Sequence, residues 1–297
     1  MRILIAGSTG LIGTELVHFL QSEGHDVRKL VRAKKTRSQQ TIFWDPYGKT
    51  VDLNDLEGFD AFINLAGENI ASGRWTNEKK RSIYESRASL TSYLCQLITR
   101  LKMPPKTLIN ASAIGIYGNR GEQVLEESSS SGEGFLADVC KHWEEATEPA
   151  VEKGVRVVNL RIGMVLSKKG GALAKMLTPF KLGLGGKLGS GQQYMSWIAL
   201  EDLVKLIVYC LNNEEMSGPV NAVSPHPVKN LQFTKLLGKA LNRPTFFSVP
   251  SFAVKLAFGE MGKELLLSSN RVHSAKLSSK DFQFEFPQLE GYFSSHF

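Results

Sequence analysis

The chain has 297 residues, of which 42% are hydrophobic and 22% charged, and a formal net charge of +7. These are the proportions of a folded globular protein with room for a sizeable core, and they exclude a disordered or low-complexity chain. No apolar run approaches the ~18 residues a membrane-spanning helix needs, and the basic residues are scattered without an aromatic platform, so neither a membrane nor a nucleic acid is an expected partner.

Cys95, Cys140 and Cys210 lie far apart, with no pair at metal-ligand spacing. They predict no disulfide framework and no metal site, and they suit a reducing compartment. The chain enters a predicted strand directly after Met1. With no signal-peptide pattern there, a cytoplasmic protein is expected.

Ile3, Leu4, Ile5 and Ala6 form a short apolar run of the kind a strand buried on both faces requires. Gly7, Gly10 and Gly13 follow at three-residue spacing, and Leu11, Ile12, Leu16, Phe19 and Leu20 then recur at helical spacing. Strand, glycine turn and helix together predict the entry to a dinucleotide-binding unit. The first glycine makes the tight turn, the second admits a pyrophosphate, and the third lets helix and strand pack closely. Unpaired N–H groups and the dipole at the helix start favour an anion there. Gly7, Ser8, Thr9, Gly10, Leu11, Ile12 and Gly13 are therefore the candidate cofactor loop.

A second strand is predicted over His25–Val31, closed by Arg32, with Lys34, Lys35 and Arg37 behind it. An NAD site places an acidic residue here to hold the ribose hydroxyls, and that acid would repel a 2′-phosphate. A guanidinium suits the phosphate instead. A solvated basic loop is the alternative; NADP(H) is the favoured cofactor.

Phe59 to Gly67 reads as a third buried strand whose small terminal residues, Asn64-Leu65-Ala66-Gly67, would let the backbone run beside a cofactor. A long helix is predicted from Asn77 to Leu101, a strand over Thr107–Asn110, a helix from about Gly134 to Glu152, and a strand over Val155–Leu160 that closes on Arg161. Strands alternating with helices predict an α/β fold with a doubly wound, mainly parallel sheet. After Gly170 come the clustered glycines Gly183, Gly185, Gly186, Gly189 and Gly191, either a substrate-side loop or a plain connection. A helix over Glu201–Leu211, a strand over Pro219–Ala222 and a helix over Leu231–Leu241 complete the reading. The expected division is a cofactor-binding domain over residues 1–168, to which strand 219–222 returns, and a smaller C-terminal, substrate-side region over 169–297.

These segments resemble the extended short-chain dehydrogenase/reductase superfamily. The finer resemblance is to its branch of predicted nucleoside-diphosphate-sugar epimerases, the "epimerase family" proteins with a C-terminal domain of unknown function. Asn64 to Ile70, Arg74-Trp75, Ser86-Arg87, Trp143-Glu144, Pro179 to Gly186, Gly189 to Gln192 and Trp197-Ile198 carry it. The resemblance implies a Rossmann sheet and cofactor contacts from the glycine loop, Arg32, Leu65, Ala66, Arg87 and the turn near Val165, with Gly67 beside them. It also implies a small-molecule substrate and a homodimer.

The superfamily exchanges hydride with a Ser or Thr and a Tyr-x-x-x-Lys pair one helical turn apart, the Lys lowering the phenol pKa. No such pair stands in the helix that should hold it. With Glu144 as the anchor, Leu136 and Cys140 occupy the Tyr and Lys places. The substitutes are Ser112 at a strand end and Tyr117 in the turn beyond it, here the candidate catalytic residues. Cys140 is either a nucleophile with a lowered pKa or a buried helix thiol. Where the branch usually carries a histidine after Trp197-Ile198, this chain has Ala199. Two readings stay open. The favoured one is an NADP(H)-binding oxidoreductase or epimerase with a non-standard active site; the other is a non-catalytic NADP(H)-binding sensor or interaction protein.

Overall fold

The computed structural model describes residues 1–32, 40–280 and 282–297, so Lys34, Lys35 and Arg37 lie outside the described residues. Seven parallel strands form the central sheet: β1 (Arg2–Ala6), β2 (Asp26–Val31), β3 (Thr41–Phe43), β4 (Ala61–Asn64), β5 (Thr107–Ala113), β6 (Arg156–Ile162) and β7 (Gly218–Ala222). Their spatial order is β7-β6-β5-β4-β1-β2-β3. The chain steps outward from β1 to β3, then returns to β4 on the other side. The crevice at that reversal, above the carboxyl ends of β1 and β4, is where this topology binds ligands.

The apolar runs follow from burial on both faces. Ile3, Ile5, Ile63, Ile109 and Val158 pack beneath α1 (Leu11–Ser22), while Leu4, Phe62, Leu108 and Val157 point into the opposite core. That second core is covered by a long helix that starts at α2 (Asn77–Tyr84) and ends as α3 (Leu90–Arg100). The predicted helix over 77–101 is thus present, but one turn of it, Glu85–Ser89, is wound as a π-helix. Such a wide turn rotates the residues within it and is frequent at functional sites.

The helix predicted over 134–152 is two helices, α4 (Phe135–Glu145) and α5 (Glu148–Glu152). Thr147 Oγ1 donates to the Glu144 carbonyl at 2.6 Å, and Pro149, with no N–H to offer, sits in the first turn of α5. Proline costs least in the first turn of a helix, which favours a new helix beginning here. β3, three residues long, has no counterpart among the sequence expectations.

A further core lies beyond the sheet. α6 (Gly171–Lys181), α7 (Leu200–Asn212) and α8 (Asn230–Ala240) follow β6. α7 joins α1 on the sheet, whereas Leu177, Trp197, Phe233 and Tyr292 pack together away from it. Within this lobe Gly186–Leu188 runs parallel to Phe247–Val249, and Met164–Leu166 parallel to Trp197–Ala199. The chain then forms α9 (Ser251–Met261), α10 (Ala275–Ser279) and α11 (Leu289–His296).

Candidate cofactor and active site

The three glycines of the first turn are not equivalent. A Cβ on Gly7, whose φ is +81°, would fall 2.5 Å from the carbonyl carbon of Leu65, and one on Gly13 would fall 2.2 Å from the Gly7 carbonyl oxygen. Protein atoms occupy both places, so these two glycines are demanded by the packing of β1, α1 and the turn after β4. A Cβ on Gly10 would meet only the Gly7 carbonyl oxygen, at 3.5 Å. The space before Gly10 is open, and Gly10 is the N-cap of α1 with no side chain capping the helix. The first-turn N–H groups therefore face a cradle without an internal acceptor.

Ser8 sits in that loop with its Oγ buried and without a hydrogen-bond partner. An orphaned buried hydroxyl is costly unless something outside the protein completes it. An oxyanion at the start of α1 fits both the hydroxyl and the open N–H groups.

Arg87, in the π-wound turn, reaches the same crevice. Its Nη2 donates to the Glu68 carbonyl at 2.9 Å, its guanidinium lies over the Trp143 ring, and a Cβ on Gly67 would touch it at 3.1 Å. Burial holds its pKa below the usual value. The nearby Glu68 carboxylate is taken by Lys79 at 2.6 Å, and that hydrogen bond, with lesser help from Arg87 and Arg32, holds Glu68 below the ordinary carboxyl range. Arg32 and Arg87 thus bring positive charge to the ends of β2 and β4. Leu65 and Ala66 flank Gly7. Val165 pairs with Ile198 beyond β6, and Leu11 reaches the neighbouring Gly170-Gly171 turn, whose own contact is the Val165 carbonyl.

Ser112 and Tyr117 are brought into one buried network. Ser112 Oγ donates to Glu144 Oε1 at 2.7 Å. Glu144 is gripped by Arg161 through two parallel bonds, Nε to Oε1 at 2.8 Å and Nη2 to Oε2 at 2.9 Å. Arg161 Nη1 donates to the Tyr117 hydroxyl at 2.9 Å, which itself donates to Asn221 Oδ1 at 2.7 Å. Burial raises the Tyr117 pKa despite the adjoining guanidinium. Burial also works against the charge on Arg161, but the Glu144 carboxylate outweighs it and the pKa stands above the usual value.

At the places where the superfamily would have Tyr and Lys, Leu136 and Cys140 are both buried. The Cys140 thiol is pushed up to about 12, first by burial and then by the Glu144 charge. Of its two sequence readings the structure supports the buried thiol. Leu136 belongs to an apolar cluster with Trp75, Ile83, Val139 and Met261. Lys141 and His142, next along α4, are exposed.

Two structural features escaped the sequence reading. One is the Glu144–Arg161 pair, signalled only by an arginine inside the apolar run of β6. The other is a ladder of asparagines across the sheet. Asn64 donates to Asn110 Oδ1 at 2.8 Å, and Asn110 donates to Asn159 Oδ1 at 2.9 Å. Paired in register, they tie the end of β4 to the middles of β5 and β6. An asparagine in each of three apolar strands was the available signal. Among the described residues no group of three His, Cys, Asp or Glu could hold a metal ion.

This scaffold is that of a dinucleotide-binding protein with an extended C-terminal lobe, and comparison with known proteins agrees. The family model described as NAD dependent epimerase/dehydratase matches residues 3–223, and a domain of unknown function, DUF1731, matches 249–295. The chain belongs to the NAD dependent epimerase/dehydratase family. An epimerase family protein of Mycobacterium bovis is 44% identical over 282 residues, 95% of this chain and 93% of that one. The crystal structure of human epimerase family protein SDR39U1 with NADPH is similar at a TM-score of 0.90 and 31% identity, covering 99% of this chain and 98% of that one. A nucleoside-diphosphate sugar epimerase from Corynebacterium glutamicum is similar at a TM-score of 0.82 and 36% identity; all of this chain is covered, but it spans only 57% of that protein.

Proposed function

We propose that the chain binds NADP(H) in the crevice above β1 and β4 and exchanges hydride with a small polar or nucleotide-linked substrate through a non-standard active site. The observation that carries this is the glycine loop. Gly7 and Gly13 are filled from inside the protein, while Gly10 is open, uncapped and beside the orphaned Ser8 hydroxyl. The loop from Gly7 to Gly13 would hold the pyrophosphate. Arg32 and Arg87 would favour a 2′-phosphate, and the backbone of Leu65, Ala66 and Gly67 would line the crevice beside it. The presence of NADPH in the similar human protein supports the choice of cofactor.

NADP(H) supplies the hydride. Proton handling falls to the chain, and here it departs from the superfamily. Leu136 has no proton to give, and Cys140 holds its own up to about 12. Ser112 is the hydroxyl at the end of β5, and its proton points at Glu144, whose charge is balanced by Arg161. A substrate oxygen at Ser112 would draw on that hydroxyl or on water, with Tyr117 acting three hydrogen bonds away, through Arg161 and Glu144. The internal engagement of Ser112 and Tyr117 equally favours the second reading, a cofactor-binding sensor without turnover.

Two measurements separate the readings. NADPH should bind more tightly than NADH in a fluorescence titration at fixed salt, with the preference lost in Arg32→Ala. NADPH oxidation should then be followed against a panel of carbonyl and nucleotide-sugar substrates. Turnover that falls at least tenfold in Ser112→Ala with unchanged cofactor affinity supports the enzyme. Cofactor binding with no turnover on any substrate supports the sensor.

A further inference from the structure

The face the fold leaves uncovered is on the C-terminal lobe. Phe246 is 91% exposed, Phe252 and Leu256 73% each, and Leu182 69%. Backbone contacts bring the segments that carry them together. Phe247 pairs with Gly186, and Arg243 Nε donates to the Lys181 carbonyl at 2.8 Å, so the segment before Phe246 lies against the segment that carries Leu182. Phe252 and Leu256 stand one helical turn apart on α9, which starts at Ser251 beside Gly189. Of the apolar residues of α9, Val254 and Met261 alone are buried. A monomer seldom presents several large apolar side chains together unless something covers them.

Charge says what that something is. Between Lys181 and Gln193 and between Leu231 and Lys263 the sequence holds seven Lys and Arg residues and one acidic residue, Glu260. Most of the net charge of +7 is therefore concentrated in these two stretches. Glu260 is paired with Lys80 at 2.5 Å. Lys181, Lys239, Arg243 and Lys255 are exposed, and the described ion pairs include none of them.

We propose that this face docks on an anionic lipid surface. The aromatic and aliphatic side chains enter the boundary between headgroups and acyl chains, and the Lys and Arg residues lie against lipid phosphates. A second copy of the chain fits the apolar part but not the charge, because two such faces would bring like charge together. The contact is docking and not spanning: no described helix is long and apolar enough to cross a membrane.

The test is co-sedimentation of the full chain with extruded vesicles of phosphatidylcholine alone or with about one third phosphatidylglycerol. The proposal expects at least about tenfold more protein on the anionic vesicles and release as salt is raised to ~0.5 M. The double variants Phe252→Ser/Leu256→Ser and Lys239→Glu/Arg243→Glu should each reduce binding about tenfold while melting like the parent protein. Equal binding to both vesicle types, no binding to either, or full binding by both variants overturns it. A concentration-dependent dimer in sedimentation velocity, abolished by Phe252→Ser/Leu256→Ser, overturns it too and gives the face to a second copy.

Discussion

Gly7 and Gly10 look alike in sequence and play different parts in the structure. Gly7→Ala puts a Cβ against the Leu65 backbone at a positive φ, so it should destabilise the protein by about 2 kcal/mol or more, read as a lower Tm. Gly10→Ala meets no close atom and should leave the Tm within a few degrees. The Glu144–Arg161 pair makes a second prediction at this scale. Both side chains are largely buried, so Arg161→Met alone strands a carboxylate and should cost about 3–5 kcal/mol in denaturant unfolding. Arg161→Met combined with Glu144→Leu should recover much of that loss. If the single and double variants unfold alike, the pair is not the centre of the network.

At the scale of elements, much of the sheet could be read from the sequence. Strands buried on both faces are mostly apolar, and β1, β4, β5 and β6 announce themselves for that reason. β3 does not, because Thr41, Ile42 and Phe43 sit half-buried near the sheet edge and form too short a run. The long helix was legible as a helix, but its π-wound turn was not. One extra residue shifts the phase of the apolar pattern, but α2 buries only Ile83, which is too little to show the shift. That turn places Ser86 so that its Oγ accepts from the Glu68 N–H at 2.9 Å, and it carries Arg87 into the crevice. The start of α4 was legible at about Gly134, but its cap was not, since that comes from far along the chain. The Glu264 carboxylate accepts from the N–H groups of Phe135 and Leu136 at 3.1 and 3.0 Å. Glu264→Ala should therefore cost about 1 kcal/mol in denaturant unfolding, with helix content otherwise retained. No change in stability would mean that water replaces the cap at no cost.

At the scale of the whole molecule, the motif pointed to the candidate cofactor loop, whereas the buried network around Arg161 was reachable only as separate residues. Ser112, Tyr117, Glu144 and Arg161 lie on four different elements, and no spacing rule joins them. The buried thiols set a pH limit for the whole fold. Cys95, Cys140 and Cys210 are each raised by burial from 9.0 to about 12. In the unfolded chain these thiols lose protons above pH 9, while the folded protein keeps them, so the folded state binds more protons there. The thiols' contribution is therefore fully present below about pH 9 and is lost as the pH rises toward 12. Thermal melts from pH 7 to 11 should show a plateau and then a decline, and a thiol reagent at pH 8 should find the cysteines unreactive until the protein is unfolded.

The most direct test of the account is a calorimetric titration of the wild type and Gly10→Val with NADPH, with melts run in parallel. The wild type should bind saturably, and Gly10→Val at least about tenfold more weakly because the side chain fills the pyrophosphate cradle, with little change in Tm. A folded wild type that takes up no NADPH, or a Gly10→Val variant that binds it as tightly, would contradict it.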